Sequence, residues 1–565
     1  MTTTFFSVRR QPTNLGALLA FCLALSSVPV NGQEESLGHT DAARPNILLI
    51  VVDDMGFSDL GAFGGEIDTP NLDRLARHGL RFTDFQVMPA CSPTRAALLS
   101  GMDPHRVGFG SLAEELADNQ KGQPGYTSYL PEDLSTLPRQ LQDAGYATLM
   151  SGKWHLGFEG GRGPRHFGFD RSFTLFSGGA SHFADGLPAY SPDPEAMASY
   201  VEDDKRLDSM PADFTYSTTY YVDYLMRQLQ QVGDQPFFAY LAYTAPHWPL
   251  QAPDATIEKY LDRYGDGYEV LRRERLDALK AEGLVGDNAA VSPLPPRVKP
   301  WDLLSAEERA RETRAMAVYA AMIDEVDKET GRLLTFLERR GQLDNTLILF
   351  FSDNGAEGHD LDETWPADVF PKIRGQIDQR FDHSTANMGR PGSYTLYGAG
   401  WAHAGSPHLR LYKAFPSEGG TRVAAFASGY GVAARGVSDS TITVMDVMPT
   451  LLQVAGVSAS GDSDVTGDGM SFAPVLAGVD VPTEQREWGV EFLGKLALRR
   501  GHWKLLKLPP PYGPGTFTLH DLRRDLAESV DVSGQYPEVF ASLKLAYDAY
   551  KDKNQVVIPD WVSGY

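Results

Sequence analysis

Short uninterrupted apolar runs alternate along the chain with amphipathic segments. The runs at 46–52 (NILLIVV), 147–150 (ATLM), 237–243 (FFAYLAY), 347–351 (LILFF) and 422–427 (RVAAFA) each end in a polar cluster. Runs without polar alternation predict strands buried on both faces, as in a parallel sheet. Residues 69–79 (TPNLDRLARHG) open on a Thr and a first-turn Pro and close on Gly, which predicts a helix. A long 3.6-residue pattern over 306–340 and a shorter one over 443–455 predict two more. Strand–helix alternation of this kind predicts an α/β fold with a central, mostly parallel sheet flanked by helices.

Three long stretches, 157–209, 251–300 and 356–407, break the alternation and are rich in Gly, Pro, Tyr and Asp. Loops this long in an enzyme usually shape a binding site. After 487 the pattern changes to short strand-like runs at 503–508 and 516–519, with a closing helix near 537–550. This predicts a main α/β domain over 45–486 and a smaller α+β subdomain over 487–565. Residues 1–32 carry Arg9 and Arg10, then an apolar run closed by Val30 and Gly32. The run is short for a membrane span and reads as a cleaved secretory signal. An exported protein, secreted or periplasmic, is therefore expected, with no stable membrane association.

Composition sharpens this picture in two ways. The 565 residues carry a formal charge of -23. Removing 1–32, which holds two Arg and no acid, takes it to -25. So acidic a surface repels nucleic acid and anionic membranes, which excludes a nucleic-acid role. Of the two cysteines, Cys22 lies in the signal, so the mature chain keeps only Cys91. A lone cysteine in an exported chain forms no internal disulfide and needs another explanation.

The candidate chemistry clusters just past strand ends. Asp53 and Asp54 end the first run, and Asp353 and Asn354 end the run at 347–351. Ligands collect outside the carboxyl ends of strands in open α/β sheets. If those two strands are neighbours, four oxygen side chains converge. Like charges raise one another's pKa, so such a cluster calls for a hard divalent cation, Ca2+ or Mg2+ rather than zinc. The plainer reading is that each Asp caps the helix after its strand. Cys91 sits in PACSPTRAALLSG, where Pro93 and Gly101 frame a short helix with Cys91 at its N-terminus. That position favours an anion, and Arg95 is one turn on. The plainer reading is a small buried apolar residue. Lys153 and His155 follow the run at 147–150, His247 follows 237–243, and Lys413 lies in RLYKAFPSEGGTR. Each alone reads most simply as a solvated or satisfied side chain, and His182 in SGGASHF, a candidate pocket residue, as part of a solvated loop. Together, a metal, one Arg, two Lys and two His suit a tetrahedral anionic ester.

These residues carry a family resemblance. Cys91-Ser92-Pro93-Thr94-Arg95 is the C-x-P-x-R core of the sulfatases, and 145–157 (GYATLMSGKWHLG) resembles their second signature. Residues 53–85 are similar to the family's opening block. SDNGAEG, APHWPLQAP and RLYKAF fit bacterial-type arylsulfatases, and 520–528 (HDLRRDLAE) is similar to a late family segment, with Leu526 where Pro is usual. The resemblance runs from about Pro45 to the C-terminus. It implies an alkaline-phosphatase-like α/β fold, and oxidation of Cys91 to formylglycine by a separate maturation enzyme. By matching position it implies one Ca2+ bound by Asp53, Asp54, Asp353 and Asn354. Arg95, Lys153, His155, His247 and Lys413 would complete the site.

The implied reaction is hydrolysis of small aryl or alkyl sulfate monoesters. One oxygen of the aldehyde hydrate attacks sulfur with Asp353 as base. Lys153, Lys413 and the cation neutralise the sulfuryl oxygens. His247, helped by Lys413, protonates the leaving alcohol, and His155 deprotonates the second hydroxyl to expel sulfate. Arg95 orients the diol. The alternative within the resemblance is a phosphonate monoester or phosphodiester hydrolase using the same cradle. From other classes, a non-catalytic sulfate-ester binder and a thiol hydrolase remain as readings.

Overall fold

The computed structural model describes residues 44–157, 161–457, 467–479, 481–482 and 485–561. The expected signal at 1–32, Cys22 included, lies outside the described residues. Eleven strands build the central sheet. In chain order they are β1 (Asn46–Val52), β2 (Leu80–Gln86), β3 (Ala147–Lys153), β4 (Arg171–Leu175), β5 (Tyr200–Glu202), β6 (Lys205–Arg206), β7 (Phe237–Ala242), β8 (Thr346–Ser352), β9 (Arg422–Gly429), β10 (Gly436–Ser438) and β11 (Ile442–Thr443). Their spatial order is β10-β2-β9-β8-β1-β7-β3-β4-β5-β6, with β11 beside β2.

Strands β8, β1, β7, β3 and β4 are parallel neighbours. Antiparallel pairing enters on both sides, at β9 against β8 and β2, and at β5 against β4 and β6. Every residue of β1, β3, β7 and β8 is buried, as their uninterrupted apolar runs require. The helix Ser217–Val232 packs on β3 and β7 and against the long helix Ala306–Arg339, which also holds Pro70–His78. A second set, Cys91–Ser100, Leu137–Asp143 and Val447–Val454, packs together. The long helix starts at a capping box, Ser305 with Glu308, a signal that fixes its first turn.

The stretches expected to be irregular are partly ordered. β4, β5 and β6 lie within 157–209, the helices Asp254–Tyr260 and Tyr268–Ala281 within 251–300, and Pro371–Arg380 and Gly398–Ala404 within 356–407. β2 escapes the apolar-run criterion because its charged residues are buried in ion pairs. Arg81 binds Glu282, and Asp84 is held by Arg499 and Arg422.

The C-terminal part forms a separate antiparallel sheet, β12 (Glu487–Phe492), β13 (Lys495–Arg500), β14 (Trp503–Lys507) and β15 (Thr518–Asp521), in that order. The helix Pro537–Lys553 packs on it. Alternation along β13 divides its two faces. Leu496 and Leu498 join Leu543 and Tyr547 of the helix, while Ala497 joins the main core. No helix among the described residues is long and apolar enough to cross a membrane.

Candidate active site

Register assembles the site. Val52 pairs with Ser352 across β1 and β8, so Asp53–Asp54 and Asp353–Asn354 leave adjacent parallel strands at the same level. Asp54 adopts a left-handed backbone, φ 72. Its amide donates to Asp353 Oδ1 at 3.3 Å, and Asn354 Nδ2 donates to Asp54 Oδ1 at 2.6 Å. β3 and β7 bring Lys153 and His247 from the other side. The order β3-β7-β1-β8 thus gathers the residues at the carboxyl ends of four neighbouring strands.

Cys91 is the first residue of the helix Cys91–Ser100, which ends at Gly101 with φ 66. It is 2% exposed. Arg95, one turn on, is held in the acidic cluster. Its Nε and Nη2 donate to Asp353 Oδ2 at 3.0 and 2.6 Å, and its Nη1 to the Lys153 carbonyl at 3.0 Å. Lys153 Nζ donates to Asp53 Oδ2 at 2.7 Å. Lys413 Nζ lies 3.0 Å from Asp54 and 3.3 Å from Glu357. It is carried between Leu411 and Ala414, both at positive φ of 58 and 67. Each aspartate thereby has a basic partner, and Arg95 also lies 3.9 Å from Asp53.

His247 hydrogen-bonds the Trp248 carbonyl through Nδ1 at 2.6 Å and presents Nε2 at 3.5 Å from Asp54 Oδ2. Since a carbonyl only accepts, the proton is on Nδ1. His155, at φ 53, places Nε2 3.5 Å from Glu114 Oε1. His182 does not line the cleft. It is buried behind it, bonded to Ser217 and, through Nε2, to the His247 carbonyl at 3.0 Å.

Electrostatics follow from burial and pairing. Burial, with Asp353 beside it, pushes Asp53 well above the usual carboxylate range. Burial also lifts Asp54 to about 6, against the pull of Lys413. For Asp353 burial acts upward too, but Arg95, Lys153 and Lys413 together hold it below the ordinary value. Burial, then Lys413 and Lys153, drive His247 well down, and burial lowers His155 despite Glu114.

The donor set fits a hard cation. Asp53, Asp54 and Asp353 each offer an oxygen within 4.8 Å of the others. Asp53 Oδ1 and Asn354 Oδ1 are buried oxygens with no hydrogen-bond partner among the described residues. Buried acceptors left open in this way call for a ligand, and an all-oxygen set selects a hard ion.

Sequence reasoning missed several neighbours. Glu357, which binds Lys413 and the His359 ring, lay inside SDNGAEG without a role. Glu114, Tyr190, Trp248 and Trp365 line the cleft beside Cys91. Trp248 adjoins His247 in APHWPLQAP but had no role there, and the other three come from separate loops that no local spacing marks.

Comparison with known proteins places the chain in a family. The sulfatase family model matches residues 45–457. An arylsulfatase of Klebsiella aerogenes is 38% identical over 73% of this chain and 87% of its own length. An uncharacterized sulfatase of Schizosaccharomyces pombe is 38% identical over 92% and 95%. Among solved structures, a sulfatase from Pseudoalteromonas sp. superposes with a TM-score of 0.59 at 22% identity, over 90% of this chain and 91% of that one. Ps i-CgsB in complex with k-i-k-neocarrahexaose gives 0.64 at 23%, over 92% and 95%. The architecture is the alkaline-phosphatase-like one expected from the sequence. With the family model covering most of the chain, this protein belongs to the sulfatase family and is a sulfuric ester hydrolase.

Proposed function

We propose that the protein is an exported arylsulfatase that hydrolyses small aryl or alkyl sulfate monoesters to an alcohol and inorganic sulfate. Cys91 would be oxidised to formylglycine by a separate maturation enzyme. Asp53, Asp54, Asp353 and Asn354 would hold one Ca2+. The observation that supports this most is the placement of Cys91 at a helix N-terminus, beside an acidic cluster in which Asp53 Oδ1 and Asn354 Oδ1 accept no hydrogen bond among the described residues.

The hydrated aldehyde would supply two hydroxyls where the thiol has one sulfur, and the cation Lewis-acid polarisation of the sulfuryl oxygens. The chain's own residues do the rest. Lys153 and Lys413 offset charge on the sulfuryl oxygens. Asp353, kept ionised by Arg95, accepts the proton given up by the Cys91-derived side chain. His247 reaches the leaving oxygen through Nε2, because its Nδ1 proton is committed to Trp248. It is neutral in the free site. An anionic ester that pairs with Lys413 and Lys153 removes their repulsion and raises its proton affinity. His155, kept neutral by burial, accepts the second proton, with Glu114 orienting its ring.

The test is turnover of an aryl sulfate by matured protein with Ca2+, against Cys91→Ala. The reading predicts abolished turnover in the variant, and full activity there contradicts it. A higher kcat/KM on an aryl phosphonate than on the aryl sulfate would move the assignment to the phosphonate alternative.

A further inference from the structure

The cleft over Cys91 has an aromatic side and a carboxylate. Tyr190 stands 5.1 Å from Trp365 and 6.0 Å from Trp248, ring centroid to ring centroid. All three rings line the cleft, and such a wall suits a flat aromatic leaving group. Glu114 lines the same cleft. Its Oε1 accepts the Tyr190 hydroxyl at 2.7 Å and lies 3.5 Å from His155 Nε2. Its Oε2 is buried and has no hydrogen-bond donor among the described residues. Burial works against ionisation here, but the neighbouring His155 ring and the Tyr190 hydroxyl hold the carboxyl below its ordinary range. An ionised, buried oxygen without a donor is costly unless a ligand supplies one.

We propose that Glu114 selects the leaving group: Oε2 accepts an O–H or N–H from the alcohol half of the ester and repels a second negative charge there. The substrate class is then an aryl sulfate carrying a hydroxyl or ammonium group on the ring's substituent, and polyanionic esters are rejected. The formal charge of -23 acts in the same direction at long range. This rests on the arylsulfatase reading and narrows it.

Four phenyl sulfates test the proposal, with para substituents aminomethyl, hydroxymethyl, methyl and carboxymethyl. The methylene insulates the ring, so intrinsic reactivity stays close across the set. The matured, Ca2+-loaded enzyme is expected to favour the aminomethyl and hydroxymethyl esters over the methyl ester. It should also favour aminomethyl over carboxymethyl by about tenfold or more, the size of a hydrogen bond to a charged group. Glu114→Gln should collapse the aminomethyl-to-carboxymethyl ratio of kcat/KM. A disturbed His155 would instead slow all four esters alike. Tyr190→Phe keeps the charge and should keep the ratio. Equal kcat/KM across the set in the parent enzyme, or a ratio that survives Glu114→Gln, overturns the proposal. Turnover of none of the four overturns the arylsulfatase reading, and the subsite falls with it.

Discussion

Asp53 and Asp353 stand side by side because they follow Val52 and Ser352, register partners in the parallel pair β1–β8. The pairing places two carboxylates in a fully buried position, with Asp54 close behind. Arg95, Lys153 and Lys413 offset these charges, Arg95 reaching both Asp353 and Asp53. A site so built is sensitive to any ion that competes for the aspartates.

Ca2+ should therefore stabilise the fold. A ligand at 100 times its Kd that binds only the native state adds about 2.7 kcal/mol. Thermal unfolding with Ca2+ and with a chelator should show a higher Tm with the ion, and Asn354→Ala should shrink the difference. An identical Tm in both conditions would count against a cation at these residues.

Gly152 is expected to be intolerant of a side chain. It holds φ 118 in β3, and a Cβ there would lie 1.8 Å from the Ala242 carbonyl oxygen of β7. Gly152→Ala should push apart the two strands that carry Lys153 and His247. The expected result is a loss of stability of a few kcal/mol, on the order of the larger single-mutation effects, and lower kcat/KM. Urea unfolding and aryl sulfate kinetics check both, and a parent-like variant would contradict the close approach.

His182 gives a pH prediction. Burial holds its pKa near 4, below the ordinary 6.5. The unfolded chain takes up a proton below about 6.5 that the native ring refuses, so stability falls as pH drops from there to about 4. The full effect is about 3 kcal/mol at roughly 1.4 kcal/mol per pH unit. His182→Gln should show a shallower loss of urea midpoint between pH 7 and pH 4.5. An unchanged slope would remove His182 from the acid sensitivity.

The readable parts of the fold and site are those with a local cause. β1 and β8 are buried on both faces, so their apolar runs are continuous and their ends mark Asp53 and Asp353. Pro93 and Gly101 frame the helix that starts at Cys91. Other parts have distant causes. β2 hides because Asp84 is buried against Arg499, 415 residues away. Arg95 stands one turn from Cys91, but Asp353, 258 residues on, is what holds its guanidinium. Glu114 meets Tyr190 across 76 residues, and such a meeting exists only once the loops are folded.

The central claim is that Cys91 is the precursor of the nucleophile. Its most direct test is the mass of the proteolytic peptide carrying Cys91, from protein made in its own host. The account predicts a peptide lighter than the cysteine form that reacts with a hydrazine probe, as an aldehyde does. An unmodified cysteine peptide from protein that turns over aryl sulfates would contradict it.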